Sequence, residues 1–158
     1  MRMSTAIRIA AISAGVAGTS LLGVAAPAHA STTTAPKVVC QQTFNDNEAD
    51  WDVNSGCYLQ NGDHVQISAS GSIWAGVWFT GNNGPQGWNN TAGDPKFPSP
   101  PSRAYSLLAE VNGQYRYVGL GAPFDYYGNG SPLYTRINDD TPGNGSGGFT
   151  VNVTVSRG

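Results

Sequence analysis

The last quarter of the chain constrains its fold more than any other stretch. Leu133, Thr135 and Ile137 alternate with Tyr134, Arg136 and Asn138. Further on, Phe149, Val151, Val153 and Val155 alternate with Thr150, Asn152 and Thr154. A period of two with apolar residues on one side is the pattern of a strand with one buried face. Between these strands stand Asn138, Asp139, Asp140, Thr141 and Asn144, with Pro142 and four glycines.

The remainder agrees with an all-β chain. Gly, Pro, Asn, Ser and Thr are abundant, and no apolar stripe of helical period runs beyond two turns after residue 30. Short strands are expected at 38–43, 64–69, 73–79, 105–111, 115–120, 133–137 and 149–155. Asn61-Gly62-Asp63 reads as a turn, and Asn112-Gly113 as the turn of a hairpin. Many short strands with frequent turns define a single-domain antiparallel β-sandwich, jelly-roll-like in topology. Residues 81–103 form a long Gly/Pro/Asn-rich excursion, and excursions of this length commonly carry function.

Residues 1–30 read as a signal peptide: Arg2 and Arg8, an apolar run, then Ala28-His29-Ala30 as a cleavage site. Residues 31–37 read as a disordered leader and 38–158 as the sandwich domain. The chain is therefore expected to be secreted and extracellular, with no membrane insertion after cleavage. Removing two of its eight basic residues leaves six against ten acidic ones, a charge of 6 − 10 = −4. With no basic cluster, nucleic acid is excluded as a partner class. The chain's two cysteines, Cys40 and Cys57, read as one disulfide in an oxidising compartment, against free thiols or a metal site.

The residues offer little for catalysis. His64 is the one histidine after residue 30, and no nucleophile elbow accompanies it. Gly143 to Gly148 matches G-x-G-x-x-G formally, but a strand rather than a helix follows it, so it is a glycine-rich turn. The 138–144 loop has two readings. Its side chains bond their own backbone, as in an ordinary Asx-rich hairpin, or its oxygens converge on a hard cation, which takes six to eight of them. The adjacent carboxylates of Asp139 and Asp140 favour the second. Trp74, Trp78, Phe79 and Trp88 are either core side chains or rings on which sugars stack, with Trp74 read as core.

Several segments together resemble the PA-I-type calcium-dependent galactose-binding lectins and their jelly-roll relatives. They are Gly62-Asp63-His64-Val65, Gly84-Pro85-Gln86-Gly87, Leu107 to Val111, Ile137-Asn138-Asp139 and Asn144 to Val153. The resemblance implies a divergent, non-catalytic, calcium-dependent carbohydrate-binding protein whose partner is a carbohydrate or glycoconjugate. It implies Asp139 and Asn144 as calcium ligands, with the Thr141 carbonyl, and Asp140 restoring a ligand. It implies a sugar held by Asp139 and Asn144 and touched by Gln86, Trp88 and Asp94 on the 84–95 loop. The chain departs from the family in three places. The Asp139–Asn144 spacing is about two residues short, Gly145 replaces a second ligand asparagine, and Asp94 and Pro95 stand near the family's sugar-contacting His and Gln. The alternative reading is a secreted structural or partner-binding sandwich that has lost metal and sugar.

Overall fold

A computed structural model describes residues 35–158. The expected signal peptide and most of the expected leader lie outside these residues. Among them the chain forms nine strands: β1 (Lys37–Asn47), β2 (Val53–Leu59), β3 (Asp63–Trp74), β4 (Asn82–Asn83), β5 (Leu107–Val111), β6 (Gln114–Tyr117), β7 (Gly121–Tyr126), β8 (Ser131–Ile137) and β9 (Ser146–Arg157). All pairings are antiparallel. One sheet runs β1-β9-β3, and both β4 and β7 pair along the far side of β3. The other runs β2-β8-β5-β6. The result is a jelly-roll-like sandwich.

The inward halves of the alternating strands make the core. Val65, Ile67 and Ile73 of β3 and Phe149, Val151, Val153 and Val155 of β9 meet Leu59, Leu107, Ala109, Leu133 and Ile137 from the other sheet. All are at most 1 % exposed, and each of these side chains except that of Ala109 contributes roughly 1.5–3 kcal/mol on burial. The Asn112-Gly113 hairpin forms as expected. Both residues take positive φ, 54° and 73°, as a type I′ turn requires.

Three departures from the expected elements have clear causes. The 73–79 strand stops at Trp74. Gly76 takes φ +73°, and the turn closed by the Thr80 N–H to Val77 O bond (3.1 Å) replaces it. Trp74 is 38 % exposed rather than core, because its neighbours Ile73 and Ala75 take the inward positions. Strands β2 and β7 were not expected. Asn54, Ser55 and Gly56 in one and Gly121 and Pro123 in the other read as turn residues, and tertiary pairing overrides that local preference. Strand β7 tolerates Pro123 because it lies at a sheet edge.

Two covalent or ionic ties brace the sandwich. Cys40 and Cys57 form a disulfide with Cα atoms 5.8 Å apart, linking β1 to β2 across the two sheets. Reducing it should lower stability by about 3 kcal/mol, the entropy cost released by a loop of this length. Urea unfolding with and without reductant measures this, and unchanged midpoints would show the bond to be idle. Near the same end of the β1-β9-β3 sheet Asp63 is fully buried. It accepts Arg157 Nε at 2.6 Å and Nη2 at 2.9 Å, plus the Gln60 N–H at 2.7 Å. Those bonds hold its carboxyl below the usual range, with the Arg157 contact the largest cause.

Candidate functional site

Strand β8 delivers the acidic loop to one end of the sandwich, and Asn138 fixes its direction. Asn138 is fully buried. Its Oδ1 accepts the Ser99 N–H at 2.9 Å, and its Nδ2 donates to Ser99 O at 3.0 Å and Arg103 O at 2.9 Å. Its backbone N–H donates to Ser106 O, and its carbonyl accepts the Tyr105 N–H, both at 2.8 Å. Asn138 therefore pins the end of the long 81–103 excursion to the acidic loop. Tyr105, at φ 63°, occupies the left-handed region, where a bulky side chain costs roughly 1–2 kcal/mol. The Asn138 bond holds it there. Its phenol is pushed above its usual range by burial and then by the charges of Asp139 and Asp140.

Asp139 is 1 % exposed. Its Oδ1 accepts the Thr141 N–H at 3.0 Å, while its Oδ2 is buried without any partner. Burial, then the charges of Glu48 and Asp140, push its carboxyl up to about 6 against the opposing Thr141 bond. An unpaired buried carboxylate oxygen is costly and rare.

Sequence reasoning missed Glu48. It follows β1, is 1 % exposed, and accepts the Gly143 N–H at 3.1 Å, while its own N–H donates to Gly147 O at 3.0 Å. It thus closes the loop from the side opposite Asp139. A signal was present: Asp46, Glu48, Asp50 and Asp52 alternate, and alternate positions on an extended chain share a face.

The remaining expected residues divide between places. Asp140 and Asn144 are exposed on the same loop. The Asn144 amide lies against the backbone of Gly76, where an added Cβ would stand 2.6 Å from the amide carbon. Gln86 and Trp88 line a cavity of about 300 Å³ beside β4. Asp94 does not line it. Its carboxylate accepts the Lys96 N–H at 2.9 Å and its carbonyl the Phe97 N–H at 3.1 Å, so it closes a turn. None of the three cavities described is lined by Asp139 or Asn144.

Gly145 is explained by its surroundings. A Cβ there would overlap the Trp74 carbonyl oxygen and lie 2.9 Å from Gly76 N. No side chain, asparagine included, fits without moving the loop. Among the described residues no three His, Cys, Asp or Glu side chains converge as a metal site. A cation at this loop would therefore need backbone and amide oxygens beside the carboxylates. That oxygen-only donor set suits calcium, and the unpartnered Asp139 oxygen fits it.

The fold is a jelly-roll-like antiparallel β-sandwich. Among solved structures it is similar to the EclA N-terminal domain, a PllA-like lectin, with a TM-score of 0.57. The two are 22 % identical, over 73 % of this chain and 95 % of that one. No protein-family model matches the sequence, and no curated protein matches it. Among the described residues no helix is long and apolar enough to cross a membrane.

Proposed function

We propose that this is a secreted, non-catalytic carbohydrate-binding protein whose acidic loop holds a calcium ion. Asp139, Asp140, Thr141 and Asn144 would ligate it. When bound, the ion supplies positive charge and open coordination positions that sugar hydroxyls can fill. Asn138 and Glu48 hold the loop from its two sides, so Asp139 is positioned before any ligand arrives. The observation that carries the reading is the buried, partnerless Oδ2 of Asp139. It leaves a negative charge, next to that of Glu48, in need of a cation. The lectin-like fold of the EclA domain supports the choice of ligand class.

The testing experiment is a glycan array with calcium and with a chelator, on wild type and Asp139→Ala. Binding should require calcium and disappear in Asp139→Ala, while the variant keeps its near-UV circular dichroism. Equal binding by the variant in calcium would remove the metal from the account. The alternative of a metal-free partner-binding sandwich draws support from Gly145, which stands where a ligand asparagine would and cannot be replaced by one. It predicts no calcium effect at all.

A further inference from the structure

We propose that the cavity between β4 and the turn at residues 84–87 is a second saccharide subsite. It would take one neutral hexose or N-acetylhexosamine unit without calcium. The proposal rests on the carbohydrate reading above but not on its metal.

The cavity is lined by Thr80, Asn82, Asn83, Gln86, Trp88 and Asn89, with Gly84 and Gly87 between them. At about 300 Å³ it stands at the small end of ligand sites, the size for a single ring. No ionisable side chain lines it, so a charged ligand would find no counter-charge. Each primary amide offers two donors and an acceptor, and a hydroxyl is both donor and acceptor, so ranks of amides match ranks of hydroxyls. Asn82, Gln86 and Asn89 are exposed, and among the described residues their side-chain amides make no intramolecular hydrogen bond.

The walls are rigid. The Asn83 side chain is tied to Gly81 O at 3.1 Å, and Asn83 is 5 % exposed. The 84–87 turn is closed by the Gly87 N–H to Gly84 O bond at 2.9 Å. Gln86 folds back over Gly84, where any Cβ would stand 2.6 Å from its Oε1. Trp88 is anchored by its N–H to Ala104 O at 2.8 Å and by packing on the core.

A rim of aromatic rings continues from Trp88. Phe79 lies 5.9 Å from it, and Trp78 stands edge-on to Phe79 at 5.8 Å. Phe79 is 61 % and Trp78 86 % exposed, so the core does not account for either. Sugar rings present C–H faces that stack on such surfaces, and the amides would take their hydroxyls.

The position relates this cavity to the acidic loop. Trp74 at the tip of β3 pairs with Asn82 on one side and Ser146 on the other. The cavity and the 138–146 loop therefore flank one strand end, about 10 Å apart at two strand spacings. Two weak subsites so placed would bind one oligosaccharide more tightly than either alone.

The test is an NMR titration of the wild-type protein in excess chelator with cellotriose, triacetylchitotriose and a sialylated trisaccharide. At least one neutral trisaccharide should shift the side-chain amides of Asn82, Gln86 and Asn89 and the Trp88 indole. The sialylated one should bind more weakly. The double variant Asn82→Ala with Gln86→Ala, both exposed and checked for an unchanged backbone NMR spectrum, should weaken binding about tenfold or more, the scale of losing one or two hydrogen bonds. Asp139→Ala should leave this binding unchanged. The subsite is overturned if no neutral trisaccharide shifts these signals in chelator, or if the double variant binds as wild type. Binding only in calcium and lost in Asp139→Ala would overturn the subsite and leave the calcium site standing. No binding under either condition would overturn both.

Discussion

Replacing Asp46 with asparagine is expected to stabilise the protein above pH 7, by up to about 4 kcal/mol, the equivalent of a three-unit shift. Asp46 lies at the inner face of β1 and is fully buried. Neither carboxylate oxygen makes a hydrogen bond, and the nearby Thr135 hydroxyl has no partner either. The hydroxyl is close enough to favour the anion somewhat, as is Arg136. Burial dominates, however, and Asp50 and Asp52 add repulsion, so the carboxyl is pushed up to about 7. The folded state then holds a proton that the unfolded chain releases near the ordinary 3.8. With more protons bound when folded, stability falls as pH rises from about 4 to about 7 and levels off beyond. Asparagine removes this titration. Urea unfolding in calcium-free buffer at about pH 4 and about pH 8 should show a smaller fall for the variant than for wild type. The shallower fall that remains belongs to Asp139, whose raised carboxyl acts with the same sign. Parallel profiles for the two proteins would show that Asp46 is not protonated in the fold.

The second large effect is at Gly145. The resemblance to PA-I-type lectins invites Gly145→Asn as a repair of the calcium site. The structure predicts damage instead. A Cβ at this position overlaps the carbonyl oxygen of Trp74, which pairs with Ser146 of β9, and crowds Gly76 N just beyond β3; both are backbone atoms. Backbone cannot yield as a flexible side chain does. The overlap should cost about 3 kcal/mol, the upper part of the usual overpacking range. Gly145→Ala should cost nearly as much, because the clash begins at the Cβ. Melting curves of both variants, with and without calcium, check this. A stable Gly145→Asn protein with tightened calcium binding would mean that the loop sits differently from the structure described above.

These two sites also mark what the sequence could and could not disclose. Strands β8 and β9 were legible because alternation over whole strands has one physical meaning, but they lie in different sheets, so the loop between them crosses the sandwich and does not close a hairpin. The Asn112-Gly113 turn was legible because two consecutive positive φ values demand such residues. Strand β7 was hidden by Pro123 and Gly121, whose local preference an edge position tolerates. Asn138 was legible only in part. It read as one more loop oxygen for a ligand, yet its amide is committed to Ser99 and Arg103. That use depends on a segment 35–39 residues away that periodicity cannot place. Glu48 and Asp46 were visible as alternating acids, but the burial of Asp46 follows from which face of β1 meets the other sheet, and that of Glu48 from its bonds to the distant Gly143 and Gly147. The Asp139–Asp140 pair was visible as adjacent carboxylates, but the burial of one Asp139 oxygen without a partner was not.

The central claim is that the acidic loop gathers a divalent cation. Thermal unfolding of wild type and Asp139→Ala, in millimolar calcium and in excess chelator, tests it most directly. Saturation at a hundredfold over Kd should stabilise the wild type by about 2.7 kcal/mol, several degrees of Tm, with chelator reversing the gain. Asp139→Ala should show no such gain. Coincident wild-type melting curves in calcium and chelator would contradict the account.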